Sequence, residues 1–492
     1  MIVMKFGGSS VESGEAIQRL ISIVRGHLDR KPLVVVSAMG KTTDRLLELA
    51  EEAERGHLYF VSTHLGELRD YHFDEAAKVV KGEALDTVEN SLRKQFRDLH
   101  MTLAEISDEG RELTLALRDE IVSYGERMSS EIVSAALSAN GVPSVLLDAR
   151  QVIVTDDQHG HATPLYFESY GKLRRAIAAL ARERVVVMGG FIASTESGAT
   201  TTLGRGGSDL TASIVGAGIA ADEIQIWTDV DGMLTCDPRV LPGGYRLRSI
   251  SYKEAGDMAR SGAKVLHPDT VQPAVRQLIP VVIKNSRRPE VEGTRIGPAN
   301  LQTAGQVKSI ACRQDRTVLE IRQKNGGEAG QWAQALIQLC QRRGLAAEVI
   351  GEQGEAVFLA IGDDPRYEQL QLETTGCVQV RLRPHRAILS LVGEGIGQTP
   401  EVAKRALSAL KGISTTIVCE SDSERTICLI LPQSAVERST QRLHQEFFRK
   451  PDPALFTESA ESALPARTAK QLEKQANHRK EQATRLVLVR QN

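Results

Sequence analysis

The chain has 492 residues, enough for two to four domains rather than one ordinary core. Hydrophobic residues make up 41% and charged residues 25%, the proportions of a globular protein able to fill its cores. Lys+Arg (61) nearly balances Asp+Glu (63), so no overall field favours nucleic acid or an anionic membrane, and function is expected at a local site.

The opening Met1-Ile2-Val3-Met4-Lys5 lacks the charged region and long apolar stretch of a signal peptide. No apolar run approaches the roughly 20 residues that span a bilayer. A cytoplasmic protein is expected, with neither membrane nor nucleic acid as partner. From residue 1 to about 295, short apolar runs alternate with amphipathic segments. Strands are predicted at Ile2 to Phe6, Leu33 to Val36, Val142 to Leu147, Val185 to Met188, Glu223 to Trp227 and Pro280 to Ile283, with helices such as Glu12 to His27 and Tyr166 to Arg182 between them. That alternation predicts an α/β domain, a mainly parallel sheet covered by helices on both faces. Residues 45–138 break it with several helices and no strand, a helical elaboration beside the sheet.

After Pro298 the texture changes. Two segments each run strand, glycine-containing turn, helix, strand, strand, a weak internal repeat of small α+β modules, expected at 305–384 and 385–450. Residues 451–492 read as a polar, disordered or loosely helical tail. Six cysteines, Cys236, Cys312, Cys340, Cys377, Cys419 and Cys428, are scattered without a CxxC pair, which argues against zinc and against a disulfide framework.

Four runs carry chemistry. After the first strand, Lys5-Phe6-Gly7-Gly8-Ser9-Ser10 lets backbone N–H groups approach an oxyanion, adds a mobile cation, and is expected to place the next helix's positive end nearby. It has neither Walker A nor Rossmann spacing. Alone, such a Gly-Gly pair is more often a structural turn. Thr200 to Asp209 packs hydroxyls, glycines, Arg205, Ser208 and Asp209 into ten residues. A guanidinium among glycines suits a carboxylate or phosphate clamp, although a capped flexible loop would show the same composition. Trp227 to Gly232, with Thr228 and Asp229, then Leu234 and Arg239, stands at the carboxyl end of a strand, where α/β sheets bind ligands. Finally, Ser261 to Pro268 holds Lys264 just past a helix, within reach of phosphate or merely solvated.

Together, KFGGSS, SAMGKTTD at 37–44, YGERMS at 124–129, TTTLGRGGSD, WTDVDG and GAKVLHP resemble the aspartate kinases of the amino-acid kinase family. The resemblance spans residues 2–295, and the paired modules look like that family's regulatory ferredoxin-like ACT domains. It implies an ATP-dependent kinase, with Mg²⁺ carried on the nucleotide, phosphorylating the side-chain carboxylate of L-aspartate to 4-phospho-L-aspartate. That is the first step toward lysine, threonine and methionine.

By the same resemblance, Lys5, Gly7, Gly8 and Asp209 form the catalytic set. Ser37, Thr43, Glu126, Arg205 and Ser208 bind the amino acid, Arg205 at its α-carboxylate and Glu126 with Asp209 at its ammonium. Lys5, Gly8, Ser9, Thr228, Asp229, Leu234, Arg239 and Lys264 face ATP, and no protein metal ligand is implied. A carboxylate with a pKa near 4 needs no general base, consistent with motifs that place no His as one. A homodimer or larger homo-oligomer through the ACT modules is the family's habit. An amino-acid effector at the ACT modules is implied by the resemblance, but the stretch Glu348 to Val357 lacks the hydroxyls of the family's effector-binding strand, so which amino acid, lysine, threonine, methionine or none, is left open. The competing readings are a sibling amino-acid kinase with another acidic substrate and a silent ACT amino-acid sensor. Intact Lys5, Arg205 and Asp209 speak against the sensor, since gathered charges are costly to retain.

Overall fold

A computed structural model describes residues 1–108, 112–263, 267–299, 303–323, 329–362, 364, 378–419 and 424–458. Its first part contains strands Ile2–Phe6 (β1), Pro32–Val36 (β2), Ser144–Leu146 (β3), Val154–Thr155 (β4), Val185–Gly189 (β5), Ile192–Thr195 (β6), Thr200–Thr202 (β7), Glu223–Thr228 (β8), Tyr245–Leu247 (β9), Ser249–Ser251 (β10), Val281–Asn285 (β11) and Thr294–Gly297 (β12). Eight of them form one sheet in the order β10-β12-β11-β8-β1-β2-β5-β3. All neighbours are parallel except β11 and β12.

Both faces of this sheet are covered, which is why its strands read as unbroken apolar runs. Val3, Leu33, Val35, Val186 and Met188 enter one core, whereas Ile2, Met4, Phe6, Val34, Val36 and Val187 enter the other. β1 lies at the centre, between β2 and β8. The chain fills one side with β2, then the edge strand β3, then β5 between them, and crosses to β8 and β11 on the other. Such a reversal opens a crevice at the carboxyl ends of the strands, where Gly7, Ser37, Gly190 and Asp229 begin their loops.

The helices are Gly14–Arg25 (α1), Thr42–Glu54 (α2), Leu58–Val79 (α3), Glu83–Asp108 (α4), Leu115–Ala139 (α5), Tyr166–Leu180 (α6), Gly207–Gly218 (α7), Tyr252–Arg260 (α8) and Gln272–Arg276 (α9). α2 to α5 occupy the stretch expected to be helical, and α5 drives through the domain with most of its residues buried. Local signals start several of them. Ser13 caps α1 by accepting from the Ala16 N–H, Thr114 caps α5 at Leu117, and Ser251 with Glu254 forms a capping box on α8.

The C-terminal part differs in detail from two separate modules. Strands Ser309–Gln323 (β13), Ala347–Gln353 (β14), Ala356–Gly362 (β15), Val378–Val392 (β16), Thr416–Cys419 (β17) and Thr426–Pro432 (β18) close into a single barrel, β13-β15-β14-β17-β18-β16. β13 and β16 pair antiparallel along nearly their whole lengths, so the two repeats share one hydrogen-bonded surface. The expected boundary at 384/385 falls inside the continuous strand β16. Helices Ala329–Arg342, Pro400–Ala409 and Val436–Phe448 belong to this part.

The tail expectation is corrected at its start. Phe456–Glu458 (β19) adds antiparallel to β9 in the first part, with Leu455 and Phe456 buried. Residues 459–492 lie outside the described residues. Cys236, Cys340 and Cys428 are buried, and burial pushes the Cys236 thiol up to about 11. Cys377 also lies outside the described residues.

Candidate active site

A cleft of about 340 Å³ opens at the carboxyl ends of β1, β2 and β5. It gathers Lys5, Gly8, Ser37, Thr43, Glu126, Arg205, Ser208 and Asp209 from four separate stretches of sequence. Gly7, the remaining member of the predicted catalytic and substrate sets, sits at the rim of β1, where its N–H donates to the Trp227 carbonyl (3.0 Å). Gly8 has to be glycine, since a Cβ there would meet the Gly40 carbonyl oxygen at 2.9 Å and that of Ala38 at 3.1 Å. This close approach brings the 37–44 loop onto the first loop, and the Gly40 N–H donates to the Gly8 carbonyl (3.1 Å).

Lys5 Nζ lies 2.7 Å from Asp209 Oδ1, with both side chains largely shielded from water. The approach is an ionic contact rather than a well-directed hydrogen bond. Glu126 is fully buried beneath the cleft. Its Oε1 accepts the Ala38 N–H (3.1 Å), while its Oε2 finds no partner among the described residues. Burial pushes its carboxyl up to about 8, against the pull of the Ala38 N–H and of Lys5. Arg205 stands exposed between Gly204 and Gly206, both at positive φ (68° and 73°), and its guanidinium pairs with no described side chain. The cleft thus presents a cation held by a carboxylate, a buried carboxyl with a vacant oxygen, and an unengaged guanidinium. Such a set suits a zwitterionic substrate carrying a further anionic group.

The helix end facing the cleft is not the predicted one. The Gly14 N–H at the start of α1 donates to Glu75 of α3 (2.7 Å), and Ser13 caps the same turn. α7 takes the role instead. No side chain caps it, and its first turn, Gly207-Ser208-Asp209, lines the cleft.

Of the predicted nucleotide residues, Lys5 and Gly8 line the cleft, and the others that the structure describes lie outside its lining. Thr228 Oγ1 donates to Asp229 Oδ1 (3.2 Å) at the end of β8, next to Gly7. Ser9 lies in the single 3-10 turn Gly8–Ser10. Leu234 pairs with Arg246, and Arg239 sits on the exposed turn beyond, doubly bonded to Asp237 (3.0 and 2.5 Å). Lys264 lies outside the described residues.

Sequence reasoning missed the support under this group. Buried Asp231 accepts from Asn285 (2.8 Å) and pairs with Arg288 (2.7 Å), and Ser10 meets Ser286 (2.7 Å). The polar run Asn285 to Arg288 ends β11, and that position was the available signal.

The comparisons agree with this geometry. Residues 1–285 match the family model of the amino acid kinase family, and residues 389–447 match an ACT domain model. Aspartokinase 2 of the Arabidopsis thaliana chloroplast is 31% identical over 465 residues, covering 91% of this chain and 84% of that protein. Lysine-sensitive aspartokinase 3 of Escherichia coli is 30% identical over 457 residues, covering 91% of this chain and 99% of that protein. The crystal structure of E. coli aspartokinase III with aspartate and ADP superposes with a TM-score of 0.75 at 29% identity, over 91% of this chain and 100% of that one. The chain therefore belongs to the amino acid kinase family, and within it to the aspartokinases, with an ACT module following the kinase part.

Proposed function

We propose that this enzyme transfers the γ-phosphoryl group of ATP to the side-chain carboxylate of L-aspartate, opening the route to lysine, threonine and methionine. The observation that carries the reading is the cleft itself, where Lys5–Asp209, the vacant Glu126 Oε2 and the free Arg205 converge. Arg205 takes the α-carboxylate and Glu126 the ammonium, with Ser37, Thr43 and Ser208 orienting the reacting carboxylate. That carboxylate is already ionised near neutral pH, so the work left to the protein is positioning and charge stabilisation. Lys5 and the backbone N–H groups of Gly7, Gly8 and Ser9 stabilise the phosphoryl group in flight.

Thr228, Asp229, Leu234, Arg239 and Lys264 hold the nucleotide. An E. coli relative bound to aspartate and ADP supports this division. Mg²⁺ enters on the phosphate oxygens of the nucleotide, as it commonly does. Residues 1–295 act as the kinase unit and the barrel as a regulatory and oligomer-forming unit in the cytoplasm. No described helix is long and apolar enough to cross a membrane.

Hydroxylamine trapping tests the reaction, because an acyl phosphate yields a hydroxamate. With ATP, Mg²⁺ and aspartate, hydroxamate should accumulate. Folded protein that gives none with aspartate, yet some with another acidic amino acid, would point to a sibling kinase.

A further inference from the structure

We propose that Asp119 is a positioning residue for the amino-acid substrate, setting where Arg205 stands relative to Glu126. The inference rests on the kinase reading above. Asp119 is 2% exposed and lies on α5, seven residues before Glu126. Two helical turns, about 10 Å along the axis, separate the pair on one face of the helix. Asp119 touches neither the cleft nor its lining.

Its two oxygens are fully engaged by two different loops. Oδ1 accepts the Thr202 hydroxyl (2.5 Å), at the end of β7 and three residues before Arg205. Oδ2 accepts the Gly160 N–H (2.9 Å) and meets His159 Nδ1 (3.0 Å) in the loop between β4 and α6. That loop returns to the same place. The Ala162 N–H donates to the Thr202 carbonyl (2.9 Å), and His161 packs so tightly on Gly204 that a Cβ there would collide with its Nδ1.

Gly204 and Gly206 give the Arg205 loop little stiffness of its own. With the Arg205 guanidinium unpaired among the described residues, the backbone holds the loop at its start, where the Leu203 N–H donates to the Phe191 carbonyl (2.9 Å). Side chains hold it through Thr202, bonded to Asp119, and His161, whose neighbours His159 and Gly160 meet Asp119. α5 therefore carries one pole of the substrate site directly, through Glu126, and fixes the other through Asp119. A substrate whose carboxylate and ammonium are a set distance apart is recognised by that spacing, so an error at Asp119 appears as lost aspartate affinity rather than lost chemistry.

The test is steady-state kinetics on the full chain, with hydroxamate as readout and each substrate varied in turn. Asp119→Ala is expected to raise KM for aspartate roughly tenfold while leaving KM for ATP within about twofold, as misplacement of a positioning group should. In an Arg205→Ala background the same substitution should change aspartate KM by less than about twofold, because the group it positions is gone. Thr202→Ser should retain wild-type aspartate KM and Thr202→Val should not. This pair carries the test if Asp119→Ala fails to fold.

Full additivity with Arg205→Ala, an equal rise in both KM values, or equal behaviour of the two Thr202 variants would overturn the proposal. Absence of aspartate turnover by the unaltered protein would instead strike the kinase reading beneath it. Normal turnover with unmoved aspartate KM in the variants would strike only the role of Asp119.

Discussion

Lys5 Nζ and Asp209 Oδ1, 204 positions apart in the chain, stand 2.7 Å from each other at the floor of the cleft. The pair holds an ammonium near the end of β1, where the glycine loop would bring phosphate. A cation used in the transition state should affect turnover more than binding. Lys5→Ala is expected to lower kcat by about 100-fold or more, the scale for loss of one electrostatic contact to developing charge, with a much smaller change in aspartate KM. Steady-state kinetics decide it, and a pure KM effect would contradict the role.

Glu126 makes the ligand-free protein sensitive to pH. Burial raises its carboxyl from 4.5 to about 8, so the folded state keeps a proton that the unfolded chain has already released. Between those values folding binds a proton, and stability falls as pH rises through the window. Glu126→Gln should flatten that part of the stability curve. An ammonium needs the ionised carboxylate, so aspartate KM should also rise as pH drops from 8 toward 6. Chemical denaturation and KM measured across this range test both statements, and a parallel pH dependence in Glu126→Gln would remove Glu126 as the cause.

The cleft was legible in sequence because glycines, hydroxyls and charges cluster where strands end, as they do around Lys5, Ser37 and Arg205, whereas Glu126 sits inside α5 and was marked only by the family resemblance. Asp119 and His159 were not, and Thr202 was read only as part of the Thr200 to Asp209 run, since the tie among the three appears only when two loops meet on α5. The positive helix end was misassigned for a similar reason. Glu75, from the helical elaboration, reaches the α1 terminus across 61 positions of chain, which no local pattern records. Strand positions were readable from apolar runs buried on both faces. The joining of two repeats into one barrel was not, because edge pairing leaves no mark on a strand's own alternation.

Buried charge joins the kinase part to the barrel. Lys308, just before β13, pairs with Glu254 of α8 at 2.8 Å, and the two side chains are 3% and 0% exposed. Glu254 also accepts the N–H groups of Ser251 (2.8 Å) and Glu394 (2.7 Å), so one carboxylate fastens the α8 cap to both repeats. Lys308→Met leaves that carboxylate without its cation and should cost about 3 kcal/mol, whereas adding Glu254→Gln should recover much of the loss. Denaturant unfolding of the single and double variants measures both, and additive losses would show that the charges do not act as a pair.

The last of the described strands offers the last prediction. β19 lies on the outer edge of β9, and the Arg248 N–H donates to the Leu455 carbonyl (2.8 Å). Phe456 is 7% exposed and meets Phe448 edge-on, with ring centres 5.5 Å apart. The inner edge of β9 holds residues 233–235 through Leu247 N–H to the Met233 carbonyl (2.8 Å) and Thr235 N–H to the Tyr245 carbonyl (2.9 Å), so Leu234 depends on β9 for its place. A three-residue edge strand can detach without global unfolding. Phe456→Asp should therefore strip exchange protection from the Arg248 amide while leaving the main sheet protected. With β9 loosened, KM for ATP should rise more than KM for aspartate. Retained protection at Arg248 would show that backbone pairing alone holds the strand. Lost protection with an unchanged ATP KM would show that Leu234 keeps its place without it.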